Sequence, residues 1–487
     1  MRYLLMNKNK RITDFEVDTD YSCVYMVHGT QKCKRAELPY GYKLKEEDSD
    51  IDKGLSDWLT NRNAAIHNRL SDMFTREMGL YNHESFIRTT HATSLNDSFW
   101  VKAEDESLKW EDVSLYDKDY NDLVGKASLG VIEAIHEIEN RGKIVPRPEY
   151  MPELLHRGSF PRMFKQTENG ILFYKADGSA ENAYSEMMAS EISEVISGKY
   201  HVPYSCETLY GKRVSCCKVF TDEETGIVTP YMLTNAAFPS IEKLLELAER
   251  FNCGDAYRRM LVFDAVIFNT DRHLNNFGFL VDNESLEVKG FAPFYDQNLC
   301  LFGNLSKDDF DHPDRHVYYR SPRFYRDFTE LGQKMITEDI ASDVEKLKDF
   351  SFKFRGDEHF SEWKVEGTER IIRMQAKALL DKTLTSETAF IIGKTDEEKL
   401  KEKYDKAVFR ANTVLRIAFS NTSYKAELIT DQEKSRVLIE ASDNENTGTM
   451  TIDMMTLNFV QSGKQFDTEF TNRVSGLLDT FSRQKAS

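Results

Sequence analysis

Leu261-Val-Phe-Asp-Ala-Val-Ile-Phe-Asn-Thr-Asp-Arg-His-Leu-Asn-Asn-Phe-Gly278 is the stretch on which the reading of this chain turns. From Met260 to Phe268 every residue is apolar except Asp264, which predicts a helix buried on nearly all sides. A buried helix is a rigid mount for the residues attached to its end. Those residues are polar and crowded, Asn269-Thr-Asp-Arg-His-Leu-Asn-Asn276. Beyond them, Phe277–Asp282 and Glu287–Ala292 read as two strands joined at Asn283-Glu-Ser-Leu286, and the second strand runs into Pro293-Phe-Tyr-Asp296.

Phosphoryl transfer asks two things of such a unit. A carboxylate must orient the attacking hydroxyl and accept its proton, and oxygen ligands must hold Mg²⁺ against the nucleotide phosphates. Asp271 and Asn276 stand five apart, the D-x-x-x-x-N spacing of protein-kinase catalytic loops. Asp296, delivered at the end of a strand, is a hard oxygen donor suited to Mg²⁺. Taken singly, Asp271 and Asn276 read as turn formers and His273 as a hydrogen-bonded structural residue. On one helix–loop–hairpin unit the three bland readings would all have to hold together, so the set favours chemistry. One histidine beside carboxylates is a poor zinc set, and the oxygen-rich donors point to Mg²⁺. No Ser-His-Asp arrangement or G-x-S-x-G elbow is present.

Outward from this core, the chain of 487 residues is long enough for two or three domains. Hydrophobic residues make up 40% and charged residues 30%, an ordinary globular balance that excludes a disordered chain. Acidic residues outnumber basic ones, 81 to 64, for a formal charge of −17, and no basic stripe is visible. Direct nucleic-acid binding is therefore not expected. Seven cysteines without a C-x-x-C pair argue for a reducing compartment and against structural zinc. The opening residues are too short an apolar run for a signal peptide, and no stretch suggests a membrane span, so the expected location is the cytoplasm.

Four regions are expected. Residues 1–125 form an accessory region, with a helix over about 55–79 on the stripe Leu55, Trp58, Leu59, Ile66, Leu70 and Phe74. A proline cluster, Pro146, Pro148 and Pro152, marks a boundary inside a small lobe spanning 126–230. There, strands at 159–165 and 171–175 flank a turn at Thr167-Glu-Asn-Gly170, whose Asn-Gly pair tolerates positive φ, and a helix runs from a Ser179 cap to Ser197. Strands at 205–210 and 214–220 complete the lobe. Residues 231–423 are mainly helical, with helices at 240–251, 255–268, 368–384 and 396–419. A C-terminal extension, 424–487, carries strands near 424–429, 436–440 and 449–452 and a final helix over 469–483. The fold class is α+β: a two-lobed, protein-kinase-like fold with a β-rich small lobe and a helical large lobe.

Asn269-Thr-Asp-Arg-His-Leu-Asn-Asn-Phe-Gly278 together with Ala292-Pro-Phe-Tyr-Asp296 resembles the HipA-like kinases, bacterial serine/threonine kinases of toxin–antitoxin systems. The similarity covers about residues 150–420 and is strongest over 257–300. The resemblance implies ATP and Mg²⁺ as cofactors, Asp271 as catalytic base, and Asn276 and Asp296 as metal ligands. It implies that Lys175 holds the nucleotide phosphates and that Glu186 orients that lysine. Helical geometry turns Glu186 away from the stripe of Tyr184, Met188 and Val195, with Glu181 and Glu191 nearer to it, so those two stay open as alternatives. Arg157-Gly158-Ser159-Phe-Pro-Arg162 resembles the family's phosphate loop, with Arg162 where a lysine is usual and Ser159 aligned to an autophosphorylated serine. Lys218, Val219 and Phe220 match the adenine hinge, with Lys218 in place of an acidic residue. His273 and Tyr295, within the matching motifs, are further candidate cofactor-binding positions.

The acceptor implied is a protein Ser or Thr, with an antitoxin-like protein as partner. Two other readings stand beside it. One keeps phosphotransfer and changes the acceptor to a lipid head group or small molecule. The other is a catalytically silent kinase fold used for binding, which predicts damage at the catalytic positions; Lys175, Asp271, Asn276 and Asp296 are all intact.

Overall fold

The structure is a computed structural model. It describes residues 1–487 except 20–24, 41–49, 63–82, 117, 142–159, 177–180, 235–238, 312, 314–316, 318–319, 385–395, 420–421, 432–435, 443–447, 464 and 484–487. Two compact units emerge, Met1–Ser386 and Glu387–Ser487. The class is α+β.

The first unit opens with strands β1 (Arg2–Asn7), β2 (Lys10–Thr19), β3 (Tyr25–His28) and β4 (Phe99–Ala103), all antiparallel in the order β3-β2-β1-β4. Helix α1 (Ile51–Arg62) buries Leu55, Trp58 and Leu59 in the core that lies against this sheet. The expected helix over 55–79 is thus present to Arg62, and its continuation through Ile66, Leu70 and Phe74 lies outside the described residues. The proline cluster also lies outside them.

A second sheet, ordered β5-β6-β8-β7, is built from β5 (Arg162–Thr167), β6 (Gly170–Ala176), β7 (Tyr204–Leu209) and β8 (Lys212–Lys218). Its first hairpin pairs Thr167 with Gly170, so the tight turn falls within Thr167-Glu-Asn-Gly170, where it is expected. Only Gly170 takes the left-handed conformation, at φ +106°, which a residue without Cβ adopts freely. Between β6 and β7 runs helix α5 (Glu181–Ile196); Ser179, its expected cap, lies outside the described residues. (Helices α2, His83–Thr90, α3, Asp122–Ser128, and α4, Ile132–Arg141, precede it.)

The remainder of the unit is mainly helical around a three-stranded sheet, β11-β10-β9, formed by β9 (Thr225–Val228), β10 (Phe279–Asp282) and β11 (Val288–Phe291). Helices α6 (Ile241–Arg250), α7 (Gly254–Ile267), α8 (Phe328–Met335), α9 (Glu338–Glu345) and α10 (Glu362–Leu380) complete it. As its sequence demands, α7 is buried continuously from Met260 to Ile267. It is gripped from two sides. A Cβ on Gly332 of α8 would lie 2.4 Å from Leu379 and 3.1 Å from Ala265, so glycine lets these helices approach closely. Gln375 of α10 donates to the Ala265 carbonyl at 3.0 Å and is itself fixed by the Thr329 hydroxyl at 3.1 Å. Helix α10 starts six residues before the expected 368 and stops at Leu380.

The second unit has helix α11 (Asp396–Ala418), strands β12 (Lys425–Asp431), β13 (Arg436–Ser442), β14 (Gly448–Asp453) and β15 (Asn458–Gly463), and helix α12 (Thr468–Arg483). The strands form an antiparallel meander in chain order. Val437, Ile439, Met450 and Ile452 of the sheet pack with Ala411 and Val414 of α11 and Phe470 and Val474 of α12. Helix α11 therefore shares its core with the tail sheet, whereas the sequence reading grouped it with the helical lobe.

Candidate active site

The site begins where α7 ends. Phe268 caps the helix in the left-handed region at φ +54°, a conformation uncommon for a bulky residue and tolerated only where packing over-determines it. The packing is there: Phe268 is fully buried, with its ring against Phe302 and Phe328. This reversal throws Asn269–Asn276 into a tight loop off the rigid helix.

Inside the loop, Arg272 is only 4% exposed and does most of the tying. Its Nε and Nη2 donate to the two carboxylate oxygens of Asp264, both at 2.8 Å, a bidentate pair. Its Nη1 donates to the Asn276 carbonyl at 2.5 Å and to the Tyr295 carbonyl at 2.7 Å. One guanidinium thus joins the end of α7, the loop and the segment that carries Asp296. Burial would push this arginine's proton affinity down, but Asp264 more than offsets that and raises it. Asn269 completes the network, donating to Asp264 Oδ1 at 3.0 Å and accepting from the Asp271 N–H at 3.1 Å.

Asp271 and Asn276 are held within this loop. Asn276 is 3% exposed, and its Nδ2 donates to the Asp271 carbonyl at 2.8 Å. That bond uses the amide nitrogen and leaves Oδ1, the atom able to bind a cation, without a hydrogen bond from any described residue. The Asp271 carboxylate is half-buried and accepts from Arg323 Nη1 at 3.0 Å. His273 Nε2 lies 3.9 Å from the other Asp271 oxygen, while its Nδ1 accepts from the Asn275 N–H at 3.2 Å. Desolvation pulls His273 below the usual histidine range, despite Asp271 and Asp296 nearby, so the ring is neutral at pH 7.

Asp296 arrives from the other side. Phe294 anchors the delivering segment: its ring stacks on Tyr200 at 5.4 Å, and its N–H donates to the Tyr200 carbonyl at 2.8 Å. Asp296 adopts φ +61°, which aspartate tolerates better than most residues. Its Oδ1 accepts from Lys175 Nζ at 2.6 Å, and the same Nζ donates to Glu186 Oε1 at 2.9 Å. Lys175 therefore bridges α5 and the 293–296 segment. Glu186 is fully buried, and its second oxygen accepts from the Ser215 hydroxyl of β8. Desolvation pushes Glu186 up, against the opposing pull of Lys175. Burial alone would raise Asp296 too, but the Lys175 charge and hydrogen bond, helped by Arg272, hold it below the usual carboxylate range. Burial works against charge on Lys175, yet the two carboxylates raise its proton affinity and keep it cationic.

The choice of acid on α5 is now clear in geometric terms. Glu186 turns toward Lys175 because α5 buries much of its circumference, Ser185 and Glu186 as well as the apolar stripe. A single-stripe reading misplaces it. Glu191 instead accepts from the backbone N–H of Lys353 and Phe354, and Glu181 pairs with Lys364 at 3.2 Å.

Other expected positions are scattered around this centre. Arg162 stands opposite Lys175 in the β5–β6 register. Gly158 and Ser159 of the expected phosphate loop lie outside the described residues. Lys218 ends β8 and is exposed. The Val219 N–H donates to the Ile171 carbonyl at 2.9 Å, which commits it to the sheet rather than to a ligand. Phe220 packs on Tyr295 at 5.5 Å, and the Tyr295 hydroxyl donates to the Asn275 carbonyl at 2.9 Å. Arg272, Ser215 and Arg323 went unread in the sequence; for Arg272 the signal available was Asp264, one acid in an otherwise apolar helix.

No family model matches the sequence, and no curated protein matches it. Among solved structures, the chain is similar to the Helicobacter pylori proinflammatory kinase CtkA, with 17% identity and a TM-score of 0.38, over 47% of this chain and 94% of that one. It is also similar to the Shewanella oneidensis MR-1 toxin–antitoxin system HipA, in a complex with HipB and its operator DNA. That match has 12% identity and a TM-score of 0.43, over 78% of this chain and 97% of that one.

Proposed function

We propose that this chain is a HipA-like, ATP-dependent serine/threonine protein kinase, with Asp271 as the base toward the acceptor hydroxyl. The observation that carries the reading is the Lys175 bridge between Glu186 and Asp296, set beside a loop that Arg272 locks to the Tyr295 carbonyl. A lysine held by an acid on a helix and facing an aspartate at the end of a strand is how a phosphate-binding cation is kept ready. Without a nucleotide, the lysine rests on Asp296; with one, its charge is available to the phosphates.

The residues fit Mg²⁺. Asn276 Oδ1 and Asp296 Oδ2 are hard oxygens without hydrogen-bond donors among the described residues, and Asp296 is held anionic. Two protein oxygens suffice for an ion that keeps its waters and takes phosphate oxygens. When bound, the ion would neutralise charge on the transferring phosphate. The chain's own part is positioning. Asp271 orients the acceptor hydroxyl and takes its proton, while Arg272 fixes Asn276 and Tyr295 relative to α7. Neutral His273 stands by the base without adding charge. The described cysteines are free thiols, which fits an enzyme of the reducing cytoplasm. Among the described residues no helix is long and apolar enough to cross a membrane. The resemblance in sequence also implies an antitoxin-like protein partner.

The test is transfer of label from γ-labelled ATP, with Mg²⁺, to the protein itself and to protein acceptors. Transfer that is abolished by Asp271→Ala and by chelation supports the reading. A folded wild-type chain that neither binds Mg-ATP nor moves label would end it, and transfer to lipids or small molecules alone would change the acceptor class.

A further inference from the structure

Beside this site lies a cavity of about 350 Å³, walled by the first turns of α5, by Thr270, by the segment after Asp296 and by Arg320. We propose that this cavity is a phosphate-binding subsite, distinct from the place of the nucleotide, that takes a phosphate monoester or free phosphate. The claim of binding stands independently of the kinase reading; the consequence for activity drawn below rests on it.

Two donors of the lining, on Asn298 and Ser185, are unengaged among the described residues. Asn298 is 3% exposed, and its amide makes no hydrogen bond with any described residue. Ser185 is 5% exposed, and its hydroxyl is equally unengaged. An amide and a hydroxyl that line a cavity without a protein partner are open to a ligand or water. Arg320 is fixed rather than loose: Nη1 donates to the Leu301 carbonyl, Nη2 lies 3.3 Å from Asn304 Oδ1, and the guanidinium sits 4.3 Å over the Phe302 ring. Among the described residues no carboxylate pairs with it, and burial pushes its proton affinity down to about 10. A desolvated cation in this state gains from an anion.

The one acid on the wall does not serve that purpose. Glu181 is taken by Lys364, which also donates to the Gly303 carbonyl at 2.5 Å. Glu181, Asn182 and Ser185 in the first turns of α5, a helix of 16 residues, line the cavity, so its positive N-terminal end lies near it. Guanidinium, amide, hydroxyl and helix terminus from several sides suit a tetrahedral oxyanion better than a neutral or cationic ligand.

The position gives the site a consequence. Thr270 precedes Asp271, Asn298 is two residues past Asp296, and Ser185 precedes Glu186. An anion bound among them draws together the three segments that carry the proposed catalytic groups, as a phosphate opposite an arginine orders the chain around it. The phosphate has two sources to distinguish: a phosphorylated side chain of this protein, or a separate phosphate compound.

The experiment is phosphorus NMR line broadening of inorganic phosphate by the full chain without nucleotide. Binding is expected in the wild type, and in Lys175→Met, which removes the nucleotide-phosphate cation. It should weaken tenfold or more in Arg320→Gln and in Asn298→Asp, the latter an isosteric change that guards against misfolding in the former. Absence of broadening in the wild type overturns the proposal. So does broadening lost in Lys175→Met but kept in Arg320→Gln and Asn298→Asp, because the phosphate then sits at the nucleotide site. Protein incubated with Mg-ATP and repurified separates the sources: a cavity then closed to inorganic phosphate is filled by the chain's own phosphorylated residue, and one still open serves an external compound.

Discussion

Two buried regions of this chain have opposite chemistry. In the tail unit, Val437, Ile439, Met450, Ile452, Phe470 and Val474 meet in a core of apolar side chains. Around the end of α7, Asp264, Asn269, Arg272, Asn276 and Glu186 are each 5% exposed or less, and all are polar. The first arrangement is the cheapest way to fold a chain. The second is costly, because every ion taken from water must recover its solvation from partners. A chain keeps such a cluster where orientation matters more than stability. Contrast in the nature of burial therefore supports the proposed site, and it can be tested on both sides.

The largest effect should come from the acceptor side of the polar cluster. Asp271→Ala is expected to lower kcat for phosphoryl transfer by about 10²–10⁴, the usual contribution of a positioned base, with nucleotide affinity nearly intact. Asp296→Ala should remove Mg²⁺-dependent nucleotide binding as well. Steady-state kinetics beside nucleotide titration separates the two. Equal loss of affinity in both variants would break the division of roles.

Next in size, Arg272→Met strands Asp264 and leaves the Asn276 and Tyr295 carbonyls without their donor. Breaking a buried pair from one side costs about 3–5 kcal/mol, because an uncompensated charge remains. Adding Asp264→Leu removes that charge and should return much of the stability but little of the activity. Recovery of both would mean the pair is structural only. On the apolar side, Ile452→Ala is expected to cost about 2–5 kcal/mol by denaturant unfolding, without change in nucleotide affinity.

How far the sequence revealed these regions depends on the range of the interactions involved. Asp271, Asn276 and Asp296 lie on one local helix–loop–hairpin unit, so spacing and patterning single them out together as candidates. The Lys175–Glu186 pair spans a strand and a helix, and a single-stripe wheel turned Glu186 the wrong way because α5 is buried on more than one face. Arg272 was hidden by the left-handed turn at Phe268, which folds the loop back onto the helix and lets residues eight apart meet. Strand β15, Asn458–Gly463, went unread because an edge strand with Asn, Gln, Ser and Gly shows little apolar alternation.

A smaller effect tests the electrostatics of the polar cluster. Asp296 sits below the usual carboxylate range because Lys175 outweighs the cost of its burial. A carboxyl depressed in the folded state contributes stability above its unfolded value, near 3.8, and loses that contribution as pH falls through the folded value. Lys175→Met removes the counter-charge, so Asp296 and Glu186 should both take up protons at higher pH than before. Mg²⁺-dependent nucleotide binding by the variant should then begin to decline at a higher pH than in the wild type as the solution is acidified. Parallel profiles for the two proteins would show that Lys175 does not set the charge of Asp296.

The smallest effect concerns Arg323. It approaches Asp271 Oδ1 from a side chain 42% exposed, and an ion pair this open to water is worth roughly 1 kcal/mol or less. Arg323→Ala should therefore leave the unfolding midpoint almost unmoved, in contrast to Arg272→Met beside the same loop. Its effect belongs to the acceptor. Arg323 occupies an oxygen that an acceptor hydroxyl would have to reach under the proposed role of Asp271, so each acceptor would have to displace it or share it. The acceptor KM is expected to shift several-fold in Arg323→Ala while the KM for ATP stays constant, and high salt, which screens an exposed pair, should move the wild type toward the variant. A change confined to the ATP term would place Arg323 with the nucleotide instead, and would make Asp271 open to acceptors from the outset.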